Sequence, residues 1–269
     1  MSGAETPRPR PDDPRGQART TGGLAAALGF SALALGIACI VLRLFAELAF
    51  RIASPFAPDP AAPLAVGGSM ELLVVFPLFF GPALYLGLCF LARRRLPLDP
   101  GPLVGAAGVT FLCAVAAEIG VDHAFVAVGG EPAWRYVVWP VQGGYTSGIG
   151  VVMWPLYGGF VHLLHGILRG DPRFTRVSGP VARGLLVAAE AMFLEIAANL
   201  FTLVVFGRFL FYYLPGDLLH FTTFRIAPPY AAAGLRGVLL LDRIEGRSWA
   251  PALGAASWGM AALALWALG

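Results

Sequence analysis

Beyond residue 22 the chain is a succession of long apolar runs separated by short polar ones. The runs fall at about 23–50, 64–92, 101–127, 147–168, 180–206, 219–241 and 249–268. Each is long enough for a helix to cross a bilayer, which takes about 20 residues at 1.5 Å per residue. The pattern predicts an all-α polytopic membrane protein, a bundle of about seven transmembrane helices. Residues 1–22, MSGAETPRPRPDDPRGQARTTG, are rich in Arg and Pro and too polar to bury a core, so they read as a disordered tail. Residues 23–269 read as one transmembrane domain. No internal repeat is visible, which counts against an inverted-repeat carrier.

Composition agrees with the pattern. The chain is 57% hydrophobic and 13% charged, where a soluble domain is about a quarter charged. All 19 basic residues are arginine, so chemistry that needs a lysine Schiff base is excluded. The net charge of +3 does not point to nucleic acid, because basic residues in a membrane protein mark orientation. Cys39, Cys89 and Cys113 lie inside apolar runs and are expected to act as small apolar residues, with no disulfide and no CxxC metal pattern. GIAC at 36–39 faintly resembles a lipoprotein cleavage site, but the run continues past Cys39 and reads as an uncleaved span.

The arginines set the topology. Arg8, Arg10, Arg15 and Arg19 precede the first run, and Arg93, Arg94 and Arg95 follow the second. Arg169, Arg173, Arg176 and Arg183 follow the fourth, and Arg243 and Arg247 follow the sixth. The alternate loops hold Arg51, Arg135 and Arg208, with Arg225 near a boundary. Short arginine-rich loops stay in the cytoplasm. The N-terminus is therefore expected inside and the C-terminus outside, in the cell membrane. Gly101 with Gly105, and Ala255 with Gly259, have the spacing of close helix contacts. Pro77, Pro82, Pro155, Pro228 and Pro229 interrupt apolar runs and are expected to kink them.

Candidate chemistry lies in the residues that are costly to place in hydrocarbon. Glu118, Asp122 and His123 close the third run in AEIGVDHAFVAVGG. Glu190, Glu195 and Asn199 lie in the fifth, and Asp217, His220 and Arg225 flank the start of the sixth. With Glu71, most of these share a depth beneath the outer face, which predicts a polar pocket there. Arg43, Glu47 and Arg51 form a self-neutralising ladder in the first span. The loop EPAWRYVVWPVQGGYTSG adds Trp134, Tyr136, Trp139 and Tyr145, with Trp154 and Tyr157 following. These read as an interfacial belt or as a lid whose π faces hold positive charge. His162 and His165 in HLLH have metal-ligand spacing, but no further ligand shares their depth. No phosphate-binding loop, zincin helix or nucleophile elbow occurs.

These observations are read as an integral membrane enzyme of isomerase or cyclase type, acting on a lipid or isoprenoid-like molecule by acid–base chemistry. Glu118, Asp122, His123, Glu195 and His220 are the catalytic candidates. Trp139, Tyr145, Trp154, Tyr157, Asn199 and Arg225 are the substrate-binding candidates. No cofactor and no metal are predicted, and the expected partner is a membrane lipid or another hydrophobic small molecule. Small membrane-bound isoprenoid cyclases have a similar size and span count, but none of their motifs is present. A proton-coupled carrier and a non-catalytic assembly partner remain the alternatives.

Overall fold

A computed structural model describes residues 66–138, 141–215 and 218–268. The tail, the first predicted span with its Arg43–Glu47–Arg51 ladder, Trp139 and Asp217 lie outside the described residues. Among the described residues six α-helices follow one another: α1 (Val66–Ala92), α2 (Pro100–Gly129), α3 (Gly150–Gly170), α4 (Pro180–Phe206), α5 (Ala227–Ile244) and α6 (Ala250–Leu268). Five are long and apolar enough to cross a membrane, and α5 is outside that set. Leu78, Phe90, Phe193 and Trp266 are each more than 70% exposed, an outer surface suited to lipid rather than water. The chain is a helical membrane protein.

Local chemistry sets the helix ends. The Asp99 carboxylate accepts the Gly101 N–H at 3.2 Å, and Pro100 opens the first turn of α2. Gly130 closes that helix at φ 77°. Pro77, Pro82 and Pro155 lie inside helices as expected. Pro228 and Pro229 do not: they occupy the first turn of α5, where a missing N–H costs nothing.

The predicted sixth span begins eight residues too early: residues 219–223 turn the chain and Phe224–Ile226 form a 3-10 helix before α5 starts at Ala227. The two long loops at one end of the bundle form short antiparallel ladders, an addition to the all-helical expectation. Strand β1 (Trp134–Tyr136) pairs with β4 (Phe211–Tyr213), with Trp134 opposite Tyr213 and Tyr136 opposite Phe211. Strand β2 (Val141–Gln142) pairs with β3 (Thr146–Ser147). Trp134, Tyr136, Phe211 and Tyr213 are buried together with Leu72, Phe76 and Ile226. This cap is part of the core.

Beneath the cap the helices pack as two groups. Helix α2 lies between α3 and α6, with α1 against α3, and α4 pairs with α5. Glycines allow both close crossings. A Cβ on Gly108 would fall 1.8 Å from the Gly254 carbonyl oxygen, and one on Gly234 would fall 2.3 Å from that of Gly184. Gly105 meets Ala250 as its spacing suggested. The expected Ala255–Gly259 contact does not form: a Cβ on Gly259 would meet nothing within 4 Å, and Ala255 is exposed. The face of α6 that packs is the one carrying Gly254. Direct contact between the two groups is sparse, and the space between them is a cavity.

Candidate active site

The cavity is about 270 Å³ in volume and lies between α1, α2, α3, α4 and α5. That is close to the lower end of small-molecule sites, roughly 300–1,000 Å³. Its walls are mostly aliphatic and aromatic, including Phe76, Phe80, Met153, Leu194 and Leu240. Two carboxylates line it, Glu118 from α2 and Glu195 from α4. Among the described residues no arginine or histidine does.

Each carboxylate accepts hydroxyl hydrogen bonds from the cap. Tyr136 in β1 donates to Glu118 Oε1, and the Thr146 hydroxyl in β3 donates to Oε2 at 2.5 Å. Tyr213 in β4 donates to Glu195 Oε1 at 2.7 Å, Tyr230 in α5 donates to the same oxygen, and Thr222 donates to Oε2 at 2.8 Å. The helices supply the acids and the loops supply most of the donors, so the ladder register sets the site geometry. Burial, reinforced by the nearby carboxylates, pushes the Tyr136 and Tyr213 phenols well above their ordinary range. Both stay neutral donors at any physiological pH.

Aromatic rings complete the polar end. Trp134, Trp154 and Tyr157 line the cavity beside the tyrosines. The Trp154 indole N–H is buried without a hydrogen-bond partner, although Glu118 is its nearby carboxylate. Tyr157 donates to Glu190 Oε2 at 3.2 Å, while Glu190 Oε1 is buried and unpartnered.

Several sequence candidates stand behind the site rather than in it. Asp122 is fully buried and does not line the cavity. Its Oδ1 accepts the backbone N–H groups of Ala133 at 2.6 Å and Trp134 at 3.4 Å, and Oδ2 lies 3.6 Å from Arg135. It fixes β1. Asn199 does the same for β4: its amide donates to the Phe221 carbonyl at 3.1 Å and its oxygen accepts the Phe211 N–H at 3.3 Å. His123 is exposed, its Nδ1 sits 2.7 Å from the Ile119 carbonyl, and its ring lies tilted against Tyr145 with centroids 4.3 Å apart. Tyr145 also faces Arg135, and its carbonyl accepts the Trp134 indole N–H at 2.9 Å. Arg225 is exposed and lines nothing.

His220 holds a strained turn. Leu219 and His220 have φ of 55° and 64°, a left-handed conformation costly for residues other than glycine. His220 Nδ1 sits 2.7 Å from the Tyr213 carbonyl, and the Tyr213 N–H donates to the His220 carbonyl at 3.0 Å. The turn brings Thr222 onto Glu195.

The histidine pair separates. His165 is buried and contacts Asp242 at 3.0 Å and the Arg183 guanidinium at 3.2 Å, and His162 supplies no ligand atom to that cluster. His165, Asp242 and Glu245 place ligand atoms within 4.8 Å of one another. Arg183 and Arg169 already pair with those carboxylates. A metal ion would have to displace two guanidinium charges, so the cluster reads as an ion network.

Tyr136, Thr146, Tyr213, Thr222 and Tyr230 were not legible as site residues. Hydroxyl residues are common near span ends, and their relation to Glu118 and Glu195 depends on the ladder pairing. No protein-family model, curated protein or solved structure matches the chain. Fold and site define a class: a helical membrane protein with an acid-bearing apolar cavity beneath a small β cap.

Proposed function

We propose that the chain is a multi-pass enzyme of the cell membrane, with seven spans and its arginine-rich loops in the cytoplasm, that isomerises or cyclises a lipid-soluble substrate. One observation carries the reading: Glu118 and Glu195, from separate helices, line the same apolar cavity. In the proposed reaction the Glu118 carboxyl gives its proton to an alkene carbon of the substrate. A C–H bond forms, the π bond breaks, and positive charge develops on the neighbouring carbon. The Glu195 carboxylate then takes a proton from an adjacent carbon, and that C–H pair becomes a new double bond. One proton enters and one leaves, so the substrate is rearranged without an oxidant or cofactor. Three hydroxyl donors on Glu195 against two on Glu118 suit Glu195 to carry charge and act as the base. Trp134, Trp154 and the tyrosines offer π faces to the developing cation.

The second reading, a proton-coupled carrier, is favoured by the reach of the cavity. Its lining extends along α5 to Leu241 and Ile244, beside the Asp242 network. Comparative lipid profiling separates the two. Cells carrying the intact gene are compared with cells carrying Glu118→Gln or Glu195→Gln. Enzyme action gives one lipid pair, substrate accumulating and product lost in both variants. Unchanged profiles with normal protein levels overturn the enzyme reading.

A further inference from the structure

The cavity has an unusual charge balance. Two carboxyl groups line it, and among the described residues no basic side chain accompanies them. Every carboxylate oxygen on Glu118 and Glu195 faces a hydroxyl donor, and hydroxyls satisfy hydrogen bonding without cancelling negative charge. Outside the cavity the fully buried Asp122 does have a counter-charge, Arg135 at 3.6 Å, whereas Glu190 has only the Tyr157 hydroxyl. With Glu118 holding the proton that it donates in the proposed reaction and Glu195 carrying the charge, the cavity presents one uncompensated negative charge in an apolar wall, which favours a positive occupant.

The aromatic lining points the same way. Trp134, Tyr136, Trp154, Tyr157, Tyr213 and Tyr230 line the polar end of the cavity. Aromatic side chains beside a carboxylate are the residue types that recognise alkylated ammonium groups, which hydrogen-bond weakly and interact through charge and π faces. Away from the acids the lining is aliphatic, running past Val187, Ala191, Leu240 and Leu241. Small residues on α4 and α5 leave room there: Ala188, Ala191, Ala233, Gly234 and Gly237 all face the cavity.

We infer that the cavity binds a lipophilic cation, with the charged centre between Glu118 and Glu195 beside the aromatic side chains and an aliphatic body along α4 and α5. The inference deepens the proposed enzymatic reading by naming the charge type that the site holds. Two sources can supply that charge: a stable amine-bearing amphiphile, or the carbocation that forms on a neutral substrate during the reaction. A protonated amine mimics the second, so one probe reports on both.

The test compares N,N-dimethyldodecylamine with dodecan-1-ol, which have the same chain and differ in head charge. Binding of each to the full chain in detergent is followed by tryptophan fluorescence, using Trp134 and Trp154 in the cavity wall, and confirmed by equilibrium dialysis. The amine should bind at least about tenfold more tightly than the alcohol, a difference of about 1.4 kcal/mol. The preference should disappear in Glu118→Gln/Glu195→Gln. Equal binding of the two probes by the intact chain overturns the inference, and that comparison needs no variant to fold. A preference that survives in the double variant also overturns it. Failure of the enzymatic reading is distinguishable. Unchanged lipid profiles with an intact amine preference remove the reaction and leave a site for a stable amine. Changed profiles with no amine preference keep the reaction and remove the cation site.

Discussion

The Asp122 carboxylate accepts the Ala133 backbone N–H at 2.6 Å, and through that bond the end of α2 positions the strand that carries Tyr136. Ala133 follows Asp122 by eleven positions; residues 123–129 complete α2, and 130–132 turn the chain back toward β1. Asp122 therefore acts on Glu118 at one remove, through β1 and the Tyr136 hydroxyl.

Asp122→Ala should destabilise the cap by about 1–3 kcal/mol, because it strands a buried backbone donor. Asp122→Asn keeps an acceptor and should lose less than half as much. Thermal unfolding in detergent measures both, and hydrogen exchange at residues 133–136 localises the loss.

The crossing of α2 and α6 depends on glycine. Gly108→Ala places a methyl carbon where the Gly254 carbonyl oxygen already sits, and should cost at least about 1–3 kcal/mol as the helices separate. Gly120 lies on the same helix with nothing within 4 Å. Gly120→Ala should be neutral or stabilising by up to about 1 kcal/mol. A melting series across the two variants checks the contrast.

Most of the helix framework was readable because hydrocarbon imposes a simple rule on sequence. The bounds of α4, 180–206, coincide with its apolar run, and those of α1, α2, α3 and α6 differ by three residues or fewer. The sixth run, read from 219, was set too early because LHFTTF is as apolar as the helix it precedes, whereas Leu219 and His220 turn the chain and α5 starts only at Ala227. Glu118 and Glu195 stood out because apolar residues continue beyond both. Asp122 and Asn199 stood out for the same reason, yet they hold backbone. Cost in the membrane marks a residue as partnered, and sequence does not say whether the partner is a ligand or a loop.

At the other end of the bundle, Arg183 is buried and pairs with Asp242 at 3.0 Å. Asp242→Ala should cost about 3 kcal/mol, the low end for breaking a buried pair, since Asp242 is itself 29% exposed. Arg183→Met/Asp242→Leu should recover much of that loss. A double-mutant cycle on unfolding free energy checks the coupling.

Asp171 caps the turn after α3 by accepting the Arg173 N–H at 2.9 Å, and it pairs with the Arg173 side chain at 2.7 Å. Arg173 in turn donates to the Leu91 carbonyl at 2.9 Å, tying this turn to α1. The Arg173 hydrogen bonds hold the Asp171 carboxyl down at about 2. A depressed carboxyl contributes stability above its unfolded value, about 3.9, and loses it as pH falls toward 2. The stability difference between the natural chain and Asp171→Asn should be constant above about pH 5 and shrink between about pH 4 and 2. Unfolding midpoints measured across that range check the sign.

The central claim, that Glu118 and Glu195 move protons on a molecule held between them, is tested most directly by solvent deuterium. The purified chain in detergent is incubated with lipid extract in deuterium oxide, and the lipids are analysed by mass spectrometry. A carboxyl that exchanges with solvent and protonates carbon leaves one non-exchangeable deuterium on a product lipid. The expected result is a labelled species formed by the natural chain, reduced about tenfold by Tyr230→Phe and by at least about a hundredfold by Glu118→Gln and by Glu195→Gln. Labelling that persists in both carboxamide variants, or no labelling by a folded natural chain supplied with its host's lipids, contradicts it.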